Sequence, residues 1–540
     1  MSSGIWWYGV DESRIPTNRI NGVVTLRVDT PEQHEALMAS LMSAEHWPEG
    51  GAQRRRIDTH ISTVILAGDL AYKLKKPLDL GFLNFLSLES RRDACHEELR
   101  LNSRLAPTIY QSVCAITGSI DAPQIDGDGE VIDWAVRMRR FDPDAIFANP
   151  AVSLTASIVD TLAARVARFH QSAAVCGSGE DFGSPPSVFE PMQQNFKQIV
   201  AFGAADPQQL EALSDWTDKQ RGRLEGLLQQ RKQQGHIREC HGDLHLGNVA
   251  LVDGEPLVFD AIEFNPGLRW IDTVNDLAFL TMDLQERGET AFKYRFLDRY
   301  LQASGDYEAL ALLCFYEVYR AMVRAKIAAI RLQQPLDEAE RTASKATFDR
   351  YIALAHDLSR RPQGALIIMM GVSGSGKSYT ARQLPDLLPA VRVRSDVERK
   401  RLLGVDPEQD ATAKGAYSSE LTDRTYARIE ALARDVITAG YVAIADATFL
   451  QYDKRARFKA LADGLGVPMV IIDCDAPTAV LRERIMARKQ DAGNVSDADL
   501  GVLDAQLAAR DPLSDDEQAL SIPVRPDRPL DRDELQRRLA

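Results

Sequence analysis

No two of the six cysteines, Cys95, Cys114, Cys176, Cys240, Cys314 and Cys474, form a C-x-x-C pair. That excludes the common zinc-ribbon and thioredoxin-type signatures. All six sit in or beside apolar runs, so they are expected as buried free thiols in a reducing compartment. There is no basic excess either. Lys+Arg is 64 against Asp+Glu 78, a net charge of -14, which argues against a protein that coats nucleic acid with a broad basic face. A small local phosphate site is still permitted. No apolar run approaches the roughly 20 residues a membrane helix needs. The start, Met1 to Tyr8, has no basic region before an apolar stretch, unlike a secretory leader. A cytoplasmic protein that does not engage membranes is expected, with Trp6, Trp7 and Tyr8 packed as a terminal segment. Glycine (34) and proline (25) are too few for low complexity, and no repeat runs at solenoid periods. What remains is ordinary globular composition, 45% hydrophobic and 26% charged, long enough for two or more cores.

The clearest seam is Ser359-Arg-Arg-Pro-Gln-Gly364, between a helical stretch from about Leu336 to Leu358 and an abrupt β-run, Ala365–Met370. Three segments are expected: 1–50, of unassigned role, 51–360 and 361–540. The last alternates candidate strands (365–370, 390–394, 441–445, 468–472) with amphipathic helices, the βαβ pattern of a parallel sheet. The middle segment begins with strands and ends with long helices, which predicts a mixed lobe followed by a helical one.

Gly371-Val-Ser-Gly-Ser-Gly-Lys-Ser378 matches G-x-x-x-x-G-K-[ST], with a strand before it and a helical pattern after it. In such a loop the backbone amides of Gly371, Ser373, Gly374, Ser375 and Gly376 turn inward around phosphate. Lys377 reaches the β/γ-phosphates and the Ser378 hydroxyl ligates Mg²⁺. The next strand ends at Arg394-Ser395-Asp396, at the edge where ligands bind in open α/β sheets. Asp396 can accept the proton of an acceptor hydroxyl while Arg399 holds the acceptor; a helix cap is the alternative. Asp446 ends the following strand, placed for a metal contact or a cap. Arg484 and Arg488 stand one turn apart, as a lid over transferring phosphates or as an ion-paired surface.

A second constellation lies upstream. His241-Gly-Asp243-Leu-His-Leu-Gly-Asn248 has the H-x-D-x-x-x-x-N spacing of a kinase catalytic loop. Asp243 would orient and deprotonate an acceptor hydroxyl and Asn248 would hold Mg²⁺, leaving His241 a structural role. Residues 63–67 and 70–75 read as a hairpin around Gly68-Asp69. Period two puts Ala71, Lys73 and Lys75 on one face, and Ala71-x-Lys73 is the pattern of a phosphate-gripping lysine; Lys75 is the alternative, or a merely exposed strand lysine. On the helix around 92–105, Glu98 lies near the apolar stripe of Ala94, Leu101 and Leu105 and should have a cationic partner, which predicts Lys73–Glu98. Arg320 and Arg324 stack one turn apart, for buried ion pairing or for a substrate anion.

From about Ile57 to Leu358 the chain resembles the aminoglycoside-phosphotransferase and choline-kinase group of kinase-like proteins. That resemblance implies a bilobal fold and makes Asp260, on the strand after the catalytic loop, a second metal ligand. Two features depart from the group. No G-x-G-x-x-G precedes Lys73, the stretch being Thr59-His-Ile-Ser-Thr63, and the I-D-W-E run appears as Phe259-Asp-Ala-Ile-Glu263, so Glu263 is not assigned as a ligand. From about Gly364 to Gln518 the chain resembles P-loop kinases of the gluconate, polynucleotide and chloramphenicol types. Joined, the two halves look like a bacterial family of bifunctional kinase-like proteins. The expected fold is thus α+β and α/β, a kinase-like part followed by a P-loop parallel-sheet part. The expected chemistry is ATP- and Mg²⁺-dependent phosphoryl transfer to small-molecule hydroxyls at two sites. Two other readings stand beside it: a regulatory sensor half attached to a P-loop kinase, and a polynucleotide 5′-hydroxyl kinase.

Overall fold

The computed structural model describes residues 27–43, 47, 54–81, 83–360, 363–405, 418–488 and 499–539, and Trp6, Trp7 and Tyr8 lie outside them. The chain divides into two compact units. The first holds Met1–Arg287 with Phe315–Ser359, and the second Gly288–Cys314 with Arg360–Ala540. The segment 288–314 therefore belongs to the second unit although it precedes the seam at residue 360.

The first unit opens with an antiparallel sheet: β1 (Arg54–Asp58), β2 (Ser62–Ala67), β3 (Leu70–Lys75), β4 (Tyr110–Ser119), β5 (Ala122–Ile125) and β6 (Val131–Arg139). Its spatial order is β1-β2-β3-β6-β4-β5. The β2–β3 turn is Gly68-Asp69, as expected, with Gly68 at φ 56°. Alternation along β3 sends Tyr72 and Leu74 to one face, where they pack with Ile65, Ile116 and Ile132 against Leu37, Met38 and Leu41 of the helix Pro31–Ser43 and against Trp47. Residues just before β1, unassigned from sequence, thus cover the sheet's outer face. The other face carries Lys73 and Lys75 and meets the helix Leu88–Asn102, capped by Ser87.

The helical lobe is centred on Thr273–Glu286, buried along almost its whole length. Its Phe279 and Met282 pack against Val318, Met322 and Phe348. Four short strands frame the functional loops: β7 (Ile237–Glu239) pairs with β10 (Trp270–Asp272), and β8 (Val249–Val252) with β9 (Glu255–Val258).

The second unit is built on a parallel sheet: β11 (Ala365–Met370), β12 (Ala390–Arg394), β13 (Val442–Asp446), β14 (Met469–Cys474) and β15 (Ser521–Val524), in the order β12-β13-β11-β14-β15. β11, Ala-Leu-Ile-Ile-Met-Met, is buried on both faces, as a central parallel strand must be. β15 gives too short a signal to be read from sequence; its Pro523 is tolerated because the strand lies at the sheet's edge. All six cysteines are free thiols, but Cys176 and Cys314 are only half-buried, a correction to the expectation that all are buried. Among the described residues no helix is long and apolar enough to cross a membrane.

Candidate active sites

The first site forms where the loop from β7 to β8 meets the sheet. Asp276, in the first turn of Thr273–Glu286, accepts from the His241 amide on Oδ2 (3.0 Å) and from the Gly242 amide on Oδ1 (2.9 Å), and His170 Nε2 lies 3.1 Å from the same Oδ2. Gly242 has φ 86°, and a Cβ there would stand 2.7 Å from the Leu268 carbonyl oxygen. Gly242→Ala is therefore expected to cost at least about 1–2 kcal/mol from left-handed backbone alone, with the clash added. Urea denaturation of the variant checks it.

His241 Nδ1 accepts from the Asp243 amide, so Nε2 is assigned the proton it gives to the Phe259 carbonyl at 2.9 Å. The His241 ring is thus held between two backbone groups. The Asp243 carboxylate is buried between Asn248 Nδ2 (2.8 Å) and His245 Nε2 (3.2 Å). Burial pushes its pKa up, but His245, His241 and the Arg320 guanidinium outweigh burial and hold it below the usual aspartate value.

Lys73 Nζ donates to Glu98 Oε1 at 2.9 Å, the pair that the helix stripe predicts, and to Asp260 Oδ1 at 2.5 Å. Lys75, far from being exposed, is wholly buried between Glu98 and Glu263. Burial alone would drive Glu98 towards its neutral form; an ammonium on each carboxylate oxygen holds its pKa low instead. Two ammonium groups thus face three carboxyl groups, and burial pushes the Glu263 pKa up. Asp260 has φ 65°, and its amide donates to the Tyr110 hydroxyl at 3.2 Å. Asn248 and Asp260 supply the hard oxygen donors that Mg²⁺ takes. The Glu263 carboxyl is spent on Lys75. The turn in the place of the absent glycine loop is short, with Thr59 hydrogen-bonded to Ser62 across it.

Beside the Asp243 loop, whose Gly242 abuts the Leu268 carbonyl, lies a cleft of about 350 Å³, walled by Phe182 and Trp270, whose rings stack at 6.3 Å, and by Tyr316, Tyr319, Asn275 and Arg320. The sequence leaves Arg320 and Arg324 between ion pairing and anion binding. Among the described residues neither makes a direct ion pair: Arg320 Nε donates to Asn275 Oδ1 at 2.8 Å and Arg324 Nε to the Tyr351 hydroxyl at 3.2 Å, both neutral.

The second site is the loop after β11. Gly371 (φ 140°) is obligatory, since a Cβ would lie 2.2 Å from the Cys474 carbonyl oxygen. Lys377 Nζ reaches the Val372 carbonyl at 2.8 Å. Ser378 Oγ is 3.4 Å from Asp446 Oδ1, which brings together the two residues expected to share a cation. Asp446 Oδ2 is buried with no hydrogen-bond partner among the described residues, Arg394 Nε being 3.9 Å away. An unsatisfied buried carboxylate oxygen beside a hydroxyl fits a hard cation such as Mg²⁺. Asp396 pairs with Arg399 at 3.1 Å, one turn on. Arg484 donates to the Gly374 carbonyl at 3.1 Å, which fixes it on the phosphate loop; Arg488 closes the same helix (Thr478–Arg488), and its side chain lies outside the described residues. Sequence reading missed Gln506, whose Oε1 accepts from the Ser373 amide at 2.7 Å. No motif marks it.

Two family models match the chain in succession, the phosphotransferase enzyme family over residues 85–313 and an AAA domain over residues 366–513. Uncharacterized proteins of Mycobacterium tuberculosis and Mycobacterium bovis are 32% identical to it over 460 residues, 84% of this chain and 89% of theirs. The chain belongs to their family. Its phosphotransferase part and AAA part correspond to the two kinase-like halves expected from the motifs. Among solved structures it is similar to a choline/ethanolamine kinase family protein from Mesorhizobium loti (13% identity, 60% of this chain and 99% of that one, TM-score 0.35). It is also similar to Chaetomium thermophilum Kti12 in complex with ADP-AlF3 (14% identity, 32% and 99%, TM-score 0.26).

Proposed function

We propose that the chain is a phosphotransferase with two ATP sites, each dependent on Mg²⁺, that moves the γ-phosphoryl group to hydroxyls of small molecules. The observation that carries this reading is the meeting of Lys73, Glu98 and Asp260 in one part-buried cluster, from segments far apart in sequence, beside the Asp243–Asn248 loop. A module that only sensed a metabolite would need neither a base nor a carboxylate held for a cation.

In the phosphotransferase part, Lys73 grips the nucleotide phosphates and Glu98 keeps its ammonium in place. Asn248 and Asp260 would hold Mg²⁺, which when bound neutralises charge on the phosphates. Asp243 Oδ aligns the acceptor hydroxyl and takes its proton as that oxygen bonds to phosphorus and the bond to the departing ADP oxygen breaks. In the AAA part, Gly371, Ser373, Gly374, Ser375 and Gly376 turn backbone amides toward the phosphates and Lys377 reaches the β/γ oxygens. Ser378 and Asp446 would hold the cation, Asp396 receives the acceptor proton, Arg399 binds the acceptor, and Arg484 with Arg488 covers the transferring group. Six cysteines kept as free thiols support work in the cytoplasm.

Calorimetric titration with Mg²⁺ and a non-hydrolysable ATP analogue tests the reading. Two sites are expected, one lost in Lys377→Ala and the other in Asp260→Ala. A single site, or two sites that both vanish in Lys377→Ala, overturns it.

A further inference from the structure

The cleft beside Asp243 has a charge character that the fold alone does not dictate. Arg320 is 3% exposed. Its guanidinium lies over the Phe279 ring at 4.7 Å and the Tyr319 ring at 5.6 Å, and both of its hydrogen bonds among the described residues run from Nε to Asn275. A guanidinium so stacked and pinned through Nε is held as a rigid fork, the geometry that grips a carboxylate or phosphate through two parallel bonds. A buried cation without a directly bonded anion is costly unless something supplies one.

A second observation points the same way. The Tyr316 hydroxyl, on the same helix face and 1% exposed, has no hydrogen-bond partner among the described residues, although Tyr316 lines the cleft. Leaving a buried phenol unsatisfied is unfavourable, and an anionic oxygen would accept its hydrogen bond. The carboxylates facing the cleft do not fill the role. Asp272 is held by both forks of Arg231 at 2.8 Å, and Asp181 stands exposed at the rim. Asp243 is close enough to feel Arg320 but is bound by Asn248 and His245.

We infer that the phosphotransferase part takes a hydroxylated acceptor that carries an anionic group, a carboxylate or phosphate, seated on Arg320 and Tyr316 with a hydroxyl presented to Asp243. This rests on the proposed phosphotransferase reading and narrows it to acidic polyols, against neutral or amine-bearing ones. The volume of about 350 Å³ lies within the roughly 300–1,000 Å³ of small-molecule pockets.

The test uses the full chain carrying Lys377→Ala, so that only the first part can bind nucleotide, saturated with the ATP analogue and Mg²⁺. Gluconate, glucitol and glucosamine share a polyhydroxylated skeleton and differ in charge. Titrated separately, gluconate is expected to bind at least tenfold more tightly than the other two. Arg320→Gln should remove that preference, and Arg320→Lys, which keeps the charge and loses the fork, should restore part of it. Tyr316→Phe should weaken gluconate several-fold. Equal binding of the three, a preference for glucosamine, no binding of gluconate, or a preference that survives Arg320→Gln overturns the inference. Absence of nucleotide binding in the Lys377→Ala protein would instead overturn the phosphotransferase reading beneath it, so the two failures are told apart.

Discussion

Asp243→Asn should lower phosphoryl transfer by the phosphotransferase part by about 10²–10⁴-fold, the range of a lost positioned base, while the ATP analogue still binds. The substitution keeps the shape and removes the charge. His245 and Asn248 retain an acceptor oxygen in place, so the thermal midpoint is expected to move little. The pH profile adds a sharper expectation. Asp243 has its pKa lowered, so the carboxylate is the populated form at all pH values above the ordinary aspartate value. Activity that depends on the ionised base is lost only as pH falls through that depressed pKa, and rises nowhere between pH 5 and 8 on its account. An acid limb centred near pH 6–7 that disappears in Asp243→Asn would show a different protonation state at work. A weak base suits phosphoryl transfer, where the loose transition state needs the acceptor aligned first and its proton removed late. Initial rates of ³²P transfer from ATP, in the Lys377→Ala background, measure the effect.

How much of this site is legible in sequence follows from the range of its contacts. The Asp243–Asn248 spacing is local, and the two side chains meet, Asn248 Nδ2 donating to the Asp243 carboxylate. Lys73–Glu98 is legible at one remove, because a period of two on β3 and a 100° step on the facing helix each point one side chain inward. Lys75–Glu263 is not, since 188 positions separate the partners and neither neighbourhood encodes the other. The exposed reading of Lys75 follows from strand alternation alone, which cannot say that a helix covers that face. Asp276 escapes for the same reason: it looks like an ordinary first-turn acid, yet it holds the amides of the functional loop. In the AAA part the P-loop and the ends of β12 and β13 are local signals. Gln506 is placed by a helix whose packing no motif announces.

The segment before the seam yields the second large effect. Asp298, in the helix Thr290–Ser304, accepts from the Arg392 backbone amide at 2.8 Å and from its guanidinium at 2.6 Å, and both residues are almost wholly buried. β12 is an edge strand, so this carboxylate does in one contact what a neighbouring strand and a counter-ion would do. Asp298→Ala is expected to destabilise the AAA part by about 3–5 kcal/mol, because it leaves a buried guanidinium unpaired. If charge dominates that cost, pairing Asp298→Leu with Arg392→Met should recover most of it, since two apolar side chains replace a buried ion pair with little loss. The Arg392 backbone amide would still lack its acceptor, so a residue of roughly 1–3 kcal/mol should persist in the double variant. Urea transitions of the single and double variants separate the two contributions. A double variant no more stable than Asp298→Ala would assign the whole effect to the edge amide. Full recovery would assign it to the charge.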